Sequence, residues 1–310
     1  MKTAIDAWAT QGEPFFFVTD FMGERIEAYP LHALESSNIS FDFSNKSTSP
    51  LRYTLEKSPL NFASYSAKIE RIQEHIRAGD TYVLNFTQPT PIRVDASLRE
   101  IYTQANAPFK LYYQDKFVCF SPEPFITIEG NTITTYPMKG TIDATLPQAL
   151  QTILDDPKEM AEHVMIIDLL RNDLAMVAHD VRVEQFRYAQ TIQAGDKNLI
   201  QISSKISATL PQEWKSNLDT ILRRLLPAGS ISGAPKKSTT HLIQTIEEYE
   251  RGFYSGIMGY FDGERLTTAV MIRFIESTPD GLVYKSGGGI TLESDAAKEY
   301  QEMLDKVYIP

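Results

Sequence analysis

The sequence YKSGGGITLESDAAKEYQEMLDK, residues 284–306, predicts a strand, a run of three glycines and a helix in succession. Apolar residues alternate with polar ones before three glycines, Gly287–Gly289, where the backbone can approach a ligand closely because no side chain intervenes. Ser294 and Asp295 are typical of a helix start, as the N-cap residue and a first-turn acid. This stretch therefore predicts an open backbone surface beside the start of a helix.

The predicted helix places two carboxylates and a cation on one face. Glu299 and Glu302 are three residues apart, and Lys306 follows four residues later, so all three are neighbours on the helix surface. A charged helix face is most often simply exposed to water, without binding a ligand. The spacing alone leaves both a hydrated face and a ligand site open.

Composition excludes several classes of function. The chain has 310 residues and a net charge of −10, without a Lys/Arg run that could follow a phosphate backbone, so we expect no nucleic-acid partner. A single cysteine, Cys119, allows no internal disulfide and no cysteine metal site, which is typical of a reducing cytoplasm. We find no signal pattern and no membrane-spanning run, and we expect a cytoplasmic protein that does not bind membranes.

Strands cluster along the chain with helices between the clusters. Apolar residues at helical spacing run from Asn61 to the stop at Gly79, and Asp156-Pro157 predicts the start of a long capped helix. The segments 116–129 and 266–277 have the composition of strands, and Arg273 lies within the second. Clustered rather than alternating strands favour an α+β fold that is mainly antiparallel.

Six motifs in order resemble the chorismate-utilising enzymes across roughly residues 60–310. Each motif is weak alone, but their combination is specific. They are PMKGT (137–141), AEHVMIIDLLRNDL (161–174), GSISGAPK (229–236), YSGIMGYF (254–261), AVMIR (269–273) and GGGI followed by AKEYQEM (287–303).

The resemblance implies one large domain in which two mainly antiparallel sheets pack together with flanking helices. Residues 1–60 would be an N-terminal segment of that domain, and residues 61–310 the chorismate-binding catalytic region. Within the family the motifs are most similar to the branch of aminodeoxychorismate synthase component I, which serves 4-aminobenzoate and folate synthesis. That similarity implies amination of chorismate to 4-amino-4-deoxychorismate.

The resemblance also implies a magnesium site built from glutamates. Residues equivalent to Glu162 and Glu302 bind the metal in this family, with those at Glu159 and Glu299 in support. Magnesium prefers oxygen ligands and is typically held by a few carboxylates and the substrate. The spacing of three in each pair is compatible with two helix faces that meet one ion.

Two catalytic residues follow from the motifs. Lys139 matches the lysine that attacks ring C2 as the C4 hydroxyl departs, a role that requires a neutral amine. Glu123 matches the general acid that protonates this hydroxyl, which requires a raised pKa. A strand-edge acid is the alternative for Glu123. Anthranilate synthases usually carry alanine at the lysine position, and isochorismate and salicylate synthases carry a lysine where this chain has Val83.

Six further residues match substrate contacts of the family. Tyr254 and Arg273 would bind the pyruvyl carboxylate, since the arginine fork pairs with carboxylates in two hydrogen bonds. Gly288 would contribute a backbone N–H, and Lys306 and Thr141 would contact a carboxylate. His163 would contact the substrate or orient Glu162, and a buried core histidine is its alternative.

The resemblance implies partners as well. Cys119 lies in a predicted strand rather than in a nucleophile turn, so we expect a separate glutamine amidotransferase to supply ammonia. No lyase segment is recognised, so a downstream aminodeoxychorismate lyase would release pyruvate. Two alternatives remain open: an anthranilate synthase component I, and a chorismate-binding regulatory subunit without turnover.

Overall fold

The structure, a computed structural model, describes residues 3–44, 53–194 and 197–310. The strands form two antiparallel sheets, as the resemblance predicted. Within the described residues no helix is long and apolar enough to cross a membrane.

The first sheet contains nine strands, with β11 beside β12 and the others in the order β10-β12-β9-β8-β15-β14-β1-β2. They are β1 (Phe15–Thr19), β2 (Ile26–Pro30), β8 (Pro124–Glu129), β9 (Thr132–Thr135), β10 (Met138–Asp143), β11 (His179–Ala194), β12 (Lys197–Thr209), β14 (Ile257–Phe261) and β15 (Leu266–Val270).

The second sheet contains eight strands, with β4 beside β5 and the others in the order β13-β5-β17-β16-β7-β6-β3. They are β3 (Ile39–Asp42), β4 (Leu55–Lys57), β5 (Val83–Val94), β6 (Phe109–Tyr113), β7 (Phe117–Ser121), β13 (Gly233–Ala234), β16 (Phe274–Thr278) and β17 (Gly281–Ile290).

Helices flank the sheets, and short 3-10 turns occur at Leu31–Ala33, Trp214–Asn217 and Gly229–Ile231. The helices are α1 (Ala4–Gln11), α2 (Phe62–Ala78), α3 (Leu98–Gln104), α4 (Ala149–Asp155), α5 (Pro157–Ala175), α6 (Leu218–Leu225), α7 (Lys236–Glu247) and α8 (Ala296–Asp305).

The predicted helix boundaries follow from capping. The Asp156 carboxylate accepts hydrogen bonds from the backbone of Lys158 and Glu159 at the start of α5, and Gly79 ends α2 in the left-handed region. One cap was predicted wrongly: Asp295, not Ser294, is the N-cap of α8. The Ser294 hydroxyl instead donates to Glu299.

Two segments predicted as continuous strands are each divided between the sheets. Residues 116–129 form β7 in the second sheet and β8 in the first, and the chain crosses over around Glu123. Residues 266–277 form β15 and β16, and the second crossover contains Arg273, whose φ is 52°. Arg273 therefore does not lie inside a strand, because the backbone turns out of the first sheet immediately before it.

Strands β5 and β17 approach closely where the three glycines lie. A Cβ atom at Gly287 would be 2.0 Å from the backbone oxygen of Phe86, so no side chain fits there. At Gly288 a Cβ would meet only side-chain atoms, the nearest being Glu302 Oε1 at 3.4 Å. Gly287 thus allows the strand pairing, while Gly288 faces the charged side chains of α8.

We expect Gly287→Ala to lower the free energy of unfolding by about 2–3 kcal/mol, because backbone atoms must move to admit the new methyl group. Gly288→Ala is the matched control, and it should cost less than about 1 kcal/mol because its contacts are of ordinary length. Urea unfolding of both variants measures the difference. Equal losses of stability would contradict this account of the glycine run.

Candidate active site

A cavity of about 590 Å³ opens between the two sheets and the helices α5 and α8. Eleven of the twelve residues predicted for the site line it, and they come from six separate parts of the chain. They are Glu123, Lys139, Thr141, Glu159, Glu162, Tyr254, Arg273, Gly288, Glu299, Glu302 and Lys306.

Lys139 projects into this cavity from an irregularity in β10. The pairing of β10 with β12 shifts register between Met138 and Thr141, and a bulge of this kind re-aims a side chain. Gly140 adopts a φ of 92°, and a Cβ there would lie 2.9 Å from Glu159 Oε2. The Lys139 amine lies 3.2 Å from Glu162 Oε2.

The lysine amine is directed toward the glycine run. A Cβ atom at Gly289 would lie 3.9 Å from Lys139 Nζ and 3.7 Å from Val83 Cγ2. The amine therefore shares this part of the cavity with an apolar side chain. Valine offers no group that could act as a base toward water at this position.

Two glutamate pairs face the cavity from different helices. Glu159 and Glu162 lie in the first turns of α5, and Glu299 and Glu302 lie on α8. Lysines accompany both pairs, since Glu162 lies near Lys139 and Glu302 Oε1 is 2.6 Å from Lys306 Nζ.

These lysines do not fully neutralise the negative charge of the two glutamate pairs. Burial raises the pKa of Glu159, and the neighbouring Glu162 charge raises it further. Burial likewise raises the pKa of Glu299, where the Glu302 charge adds to the effect and the Ser294 hydrogen bond opposes it. A divalent cation near these carboxylates would favour their ionised forms.

The four glutamate side chains are of a chemical type that suits magnesium, but in this structure they do not converge on one point. All four side chains supply oxygen ligands, which a hard cation prefers. Among the described residues, no group of three or more His, Cys, Asp or Glu side chains converges closely enough to enclose a metal ion. In this geometry the ammonium groups of Lys139 and Lys306 balance part of the negative charge.

Glu123 lies at the first crossover, where it is half-buried in the wall of the cavity. Burial raises the pKa of Glu123 above the ordinary value. A hydrogen bond with Ser230 and the charges of Lys139, Arg273 and Lys306 oppose that effect. An acid that keeps its proton beside several cations can donate this proton to a leaving group.

Arg273 lies at the second crossover as a cation without a carboxylate partner. No carboxylate oxygen of the described residues lies within 4.0 Å of its guanidinium nitrogens, and its Nε is buried without a hydrogen-bond partner. Its guanidinium carbon lies 5.6 Å from the centre of the Tyr308 ring. Burial raises the pKa of the nearby Tyr254 to about 12, so its hydroxyl keeps its proton and remains a donor. An anionic group of a ligand would balance the charge of Arg273 and accept hydrogen bonds at this end of the cavity.

The residues that line the cavity lie within the part of the chain that matches a known protein family. The pattern of one family, described as chorismate binding enzyme, matches residues 24–310. The chain belongs to that family. The match begins well before residue 60, where the motifs first suggested the resemblance.

Two relatives illustrate how this member of the family compares with other proteins. An "Uncharacterized PabA-like protein" of Haemophilus influenzae is 46% identical over 308 residues, which cover 98% of this chain and 94% of the relative. Aminodeoxychorismate synthase component 1 of Salmonella typhimurium is 32% identical over 275 residues, which cover 83% of this chain and 59% of the synthase. The chain thus spans less than two thirds of the length of that synthase.

Solved structures agree with the fold. Anthranilate synthase component I from Streptococcus pneumoniae superposes with a TM-score of 0.68 at 26% identity, over 84% of this chain and 59% of that one. This anthranilate synthase component therefore shares the architecture of the chain over most of its length.

His163 is the predicted site residue that does not line the cavity. It is fully buried, and its Nε2 lies 2.7 Å from the Ser204 hydroxyl. Burial lowers the pKa of this imidazole, which favours its neutral form. These contacts match the alternative of a buried core histidine.

Several residues that the sequence did not single out also line the cavity. They include Asn85, Ser230, Ser255 and Lys285. Ser230 lies within the GSISGAPK motif, so its position was available as a signal, although its contact with Glu123 was not. Asn85 and Lys285 belong to strands β5 and β17, where alternation alone cannot tell a cavity from a core.

We expect Glu123→Gln to change how the stability of the protein depends on pH. A raised folded-state pKa means that the folded protein keeps a proton that the unfolded chain releases above about 4.5. The stability contributed by this group therefore falls as pH rises from the ordinary pKa through the folded-state pKa. The glutamine variant lacks this loss and should gain stability relative to the native chain between pH values of about 5 and 8.

Urea unfolding of both proteins at the two pH values measures the effect, with Glu129→Gln, a change at an exposed acid, as the matched control. The control should follow the native chain. A pH dependence that is the same in the native chain and in Glu123→Gln would contradict the raised pKa.

Proposed function

We propose that this protein catalyses the magnesium-dependent amination of chorismate to 4-amino-4-deoxychorismate. The observation that carries the proposal is the position of Lys139, whose amine enters the cavity from the bulge in β10 and is directed toward Gly289 beside Val83. The similarity to an aminodeoxychorismate synthase component 1 supports the same branch.

Lys139 acts as the nucleophile in this proposal. Its neutral amine attacks ring C2, the ring double bond shifts, and the C4 hydroxyl leaves. Ammonia then adds at C4, the double bond shifts back, and the bond between C2 and the lysine breaks. The lysine nitrogen loses its extra proton on forming the adduct and regains one on leaving, so the enzyme is restored.

Glu123 acts as the general acid. Hydroxide is a poor leaving group at neutral pH, so its departure needs a proton, which converts it to water. The raised pKa of Glu123 keeps that proton available, and the Ser230 hydrogen bond orients the carboxyl group. Both groups line the cavity that contains Lys139.

The remaining polar groups bind the two carboxylates of chorismate. Arg273 and Tyr254 form a cationic, donor-rich end that suits the pyruvyl carboxylate. Lys306, the Gly288 backbone and Thr141 suit the ring carboxylate. The Lys306 ammonium is already oriented by the Gly287 carbonyl oxygen at 2.8 Å.

Glu162 and Glu302 would hold the magnesium ion, with Glu159 and Glu299 in support. When bound, the ion supplies a hard divalent charge that stabilises the ring carboxylate and the departing oxygen. The glutamates would orient it, and Lys306, which pairs with Glu302 in this structure, would then contact the ring carboxylate.

Ammonia would come from another protein, a glutamine amidotransferase, in the cytoplasm. Cys119 is fully buried, and burial raises its pKa, so the thiol does not ionise to attack glutamine. A separate aminodeoxychorismate lyase would then release pyruvate to give 4-aminobenzoate.

We expect the native chain to form aminodeoxychorismate from chorismate, magnesium and ammonium at mildly alkaline pH, where part of the ammonia is neutral. Lys139→Ala should reduce this product roughly 10³-fold or more, because no other group replaces the nucleophile. Mass spectrometry of the products measures both, with Lys298→Ala, a change at an exposed lysine of α8, as the control.

Anthranilate as the product would contradict the proposed branch, and it would agree with the match to an anthranilate synthase structure. Isochorismate as the product would contradict the proposal, because Val83 cannot act as the base that activates water. Chorismate binding without any product would assign the chain to a regulatory role or to a subunit that depends on its partner.

We expect Glu302→Gln and Glu162→Gln each to weaken magnesium binding at least about tenfold, because a carboxylate ligand becomes a neutral amide. Calorimetry with magnesium in the presence of chorismate measures the affinity directly, without turnover. Glu293→Gln changes an exposed acid near α8 and should leave the affinity unchanged. Equal affinities in all four proteins would refute the glutamate site.

A further inference from the structure

A largely buried charge network lies next to Tyr254, and of its four residues only Lys285 lines the cavity. It consists of Glu247, Arg251, Glu276 and Lys285. Arg251 and Glu247 form an ion pair at 2.6 Å, with 2% and 1% of their side chains exposed. Lys285 and Glu276 form a second ion pair at 2.7 Å, and Lys285 is 4% exposed as a residue. The proposed reaction uses none of these four residues.

The Lys285 ammonium is hydrogen-bonded to the turn that carries Tyr254. Its Nζ donates to the backbone oxygen of Arg251 at 3.0 Å. The backbone N–H of Tyr254 donates to the same oxygen at 3.1 Å. A single carbonyl oxygen therefore joins strand β17 to the segment 251–255, which places Tyr254 and Ser255 on the cavity wall.

The Arg251 side chain extends this attachment to two other walls. It donates to the backbone oxygen of Asn85 at 2.7 Å and to that of Ile231 at 2.9 Å. Asn85 and Ile231 both line the cavity, and Ile231 follows Ser230, the hydrogen-bond partner of Glu123. Arg251 thus joins the turn, strand β5 and the loop that carries Ser230.

The charges of the network balance one another. Two cations face two carboxylates, so these four residues together add no net charge to this end of the cavity. The uncompensated charge of Arg273 then remains available to an anionic ligand. A neutral residue in place of Lys285 would leave the buried carboxylate of Glu247 and the half-buried carboxylate of Glu276 with one cation, which is unfavourable.

We propose that Lys285 is a positioning residue for substrate binding. Its hydrogen bond to the Arg251 carbonyl oxygen holds Tyr254 and the adjoining parts of the cavity wall in the positions where the pyruvyl carboxylate binds. This inference rests on the proposed function for the identity of the ligand. The attachment itself can be tested without any ligand. Lys285 carries out no step of the proposed reaction, so its loss acts on binding more than on turnover.

Lys285→Met, which keeps most of the unbranched side chain but removes the donor and the charge, is the main test variant. We expect its KM and its calorimetric dissociation constant for chorismate to rise roughly tenfold to a hundredfold, the effect of losing a buried charged hydrogen bond. Its kcat should change by less than about threefold, because Lys139 and Glu123 keep their positions. Lys298→Met is the exposed control and should match the native chain.

Hydrogen exchange provides a measurement that needs no ligand. The Tyr254 amide should exchange at least about tenfold faster in Lys285→Met, while the amides of α2 keep their native rates. Glu276→Gln retains the bond between Lys285 and the Arg251 oxygen and should therefore resemble the native chain in both measurements. Should Lys285→Met fail to fold, Lys285→Gln carries the same test, because it lacks the charge and the full reach of the lysine.

The outcomes separate the inference from the proposed function. If the native chain does not bind chorismate, the proposed function fails, and hydrogen exchange alone decides whether Lys285 holds the turn. Unchanged exchange and unchanged chorismate affinity in folded Lys285→Met would overturn the inference. So would faster exchange with unchanged affinity, or an equal effect of Glu276→Gln, which would assign the role to the ion pair instead.

Discussion

The cavity depends on hydrogen bonds between the two segments where the chain crosses from one sheet to the other. The backbone N–H of Phe120 lies 3.2 Å from the Arg273 oxygen, and that of Val270 donates to the Glu123 oxygen at 3.1 Å. Each crossover thus holds the other in place. Because backbone bonds set this geometry, the acid Glu123 and the cation Arg273 are positioned by the fold rather than by contacts between their side chains.

Electrostatics then divides the cavity into two unlike regions. Near α5 and α8, glutamates outnumber the lysines that accompany them, and the excess negative charge favours a cation. Near Tyr254, Arg273 keeps an unbalanced positive charge, while the network that includes Lys285 balances itself. A small dianion that binds together with a divalent cation suits both regions, which is consistent with membership of a chorismate binding family.

Individual residues differ in how well the sequence predicted them. Helical spacing, a local property, predicted that Glu299 and Glu302 share one helix face, the resemblance implied their metal role, and the structure places both at the cavity. Arg273 was predicted in a strand and lies instead at a crossover, because apolar composition does not indicate which of two sheets a segment joins. His163 lies within a recognised motif, yet it packs against Ser204, since a motif does not specify which face of a helix the core covers.

The sequence by itself determined the limits of α2, the start of α5, the glycine run, the family and the two sheets, because capping, periodicity and ordered motifs are properties of neighbouring residues or of matched patterns. Only the tertiary structure decided how the strands 116–129 and 266–277 divide between the sheets. It also decided where the bulge directs Lys139 and how Lys285 is attached to the Arg251 oxygen. These features join residues far apart in the chain, and their energies depend on pairings and burial that exist only after folding.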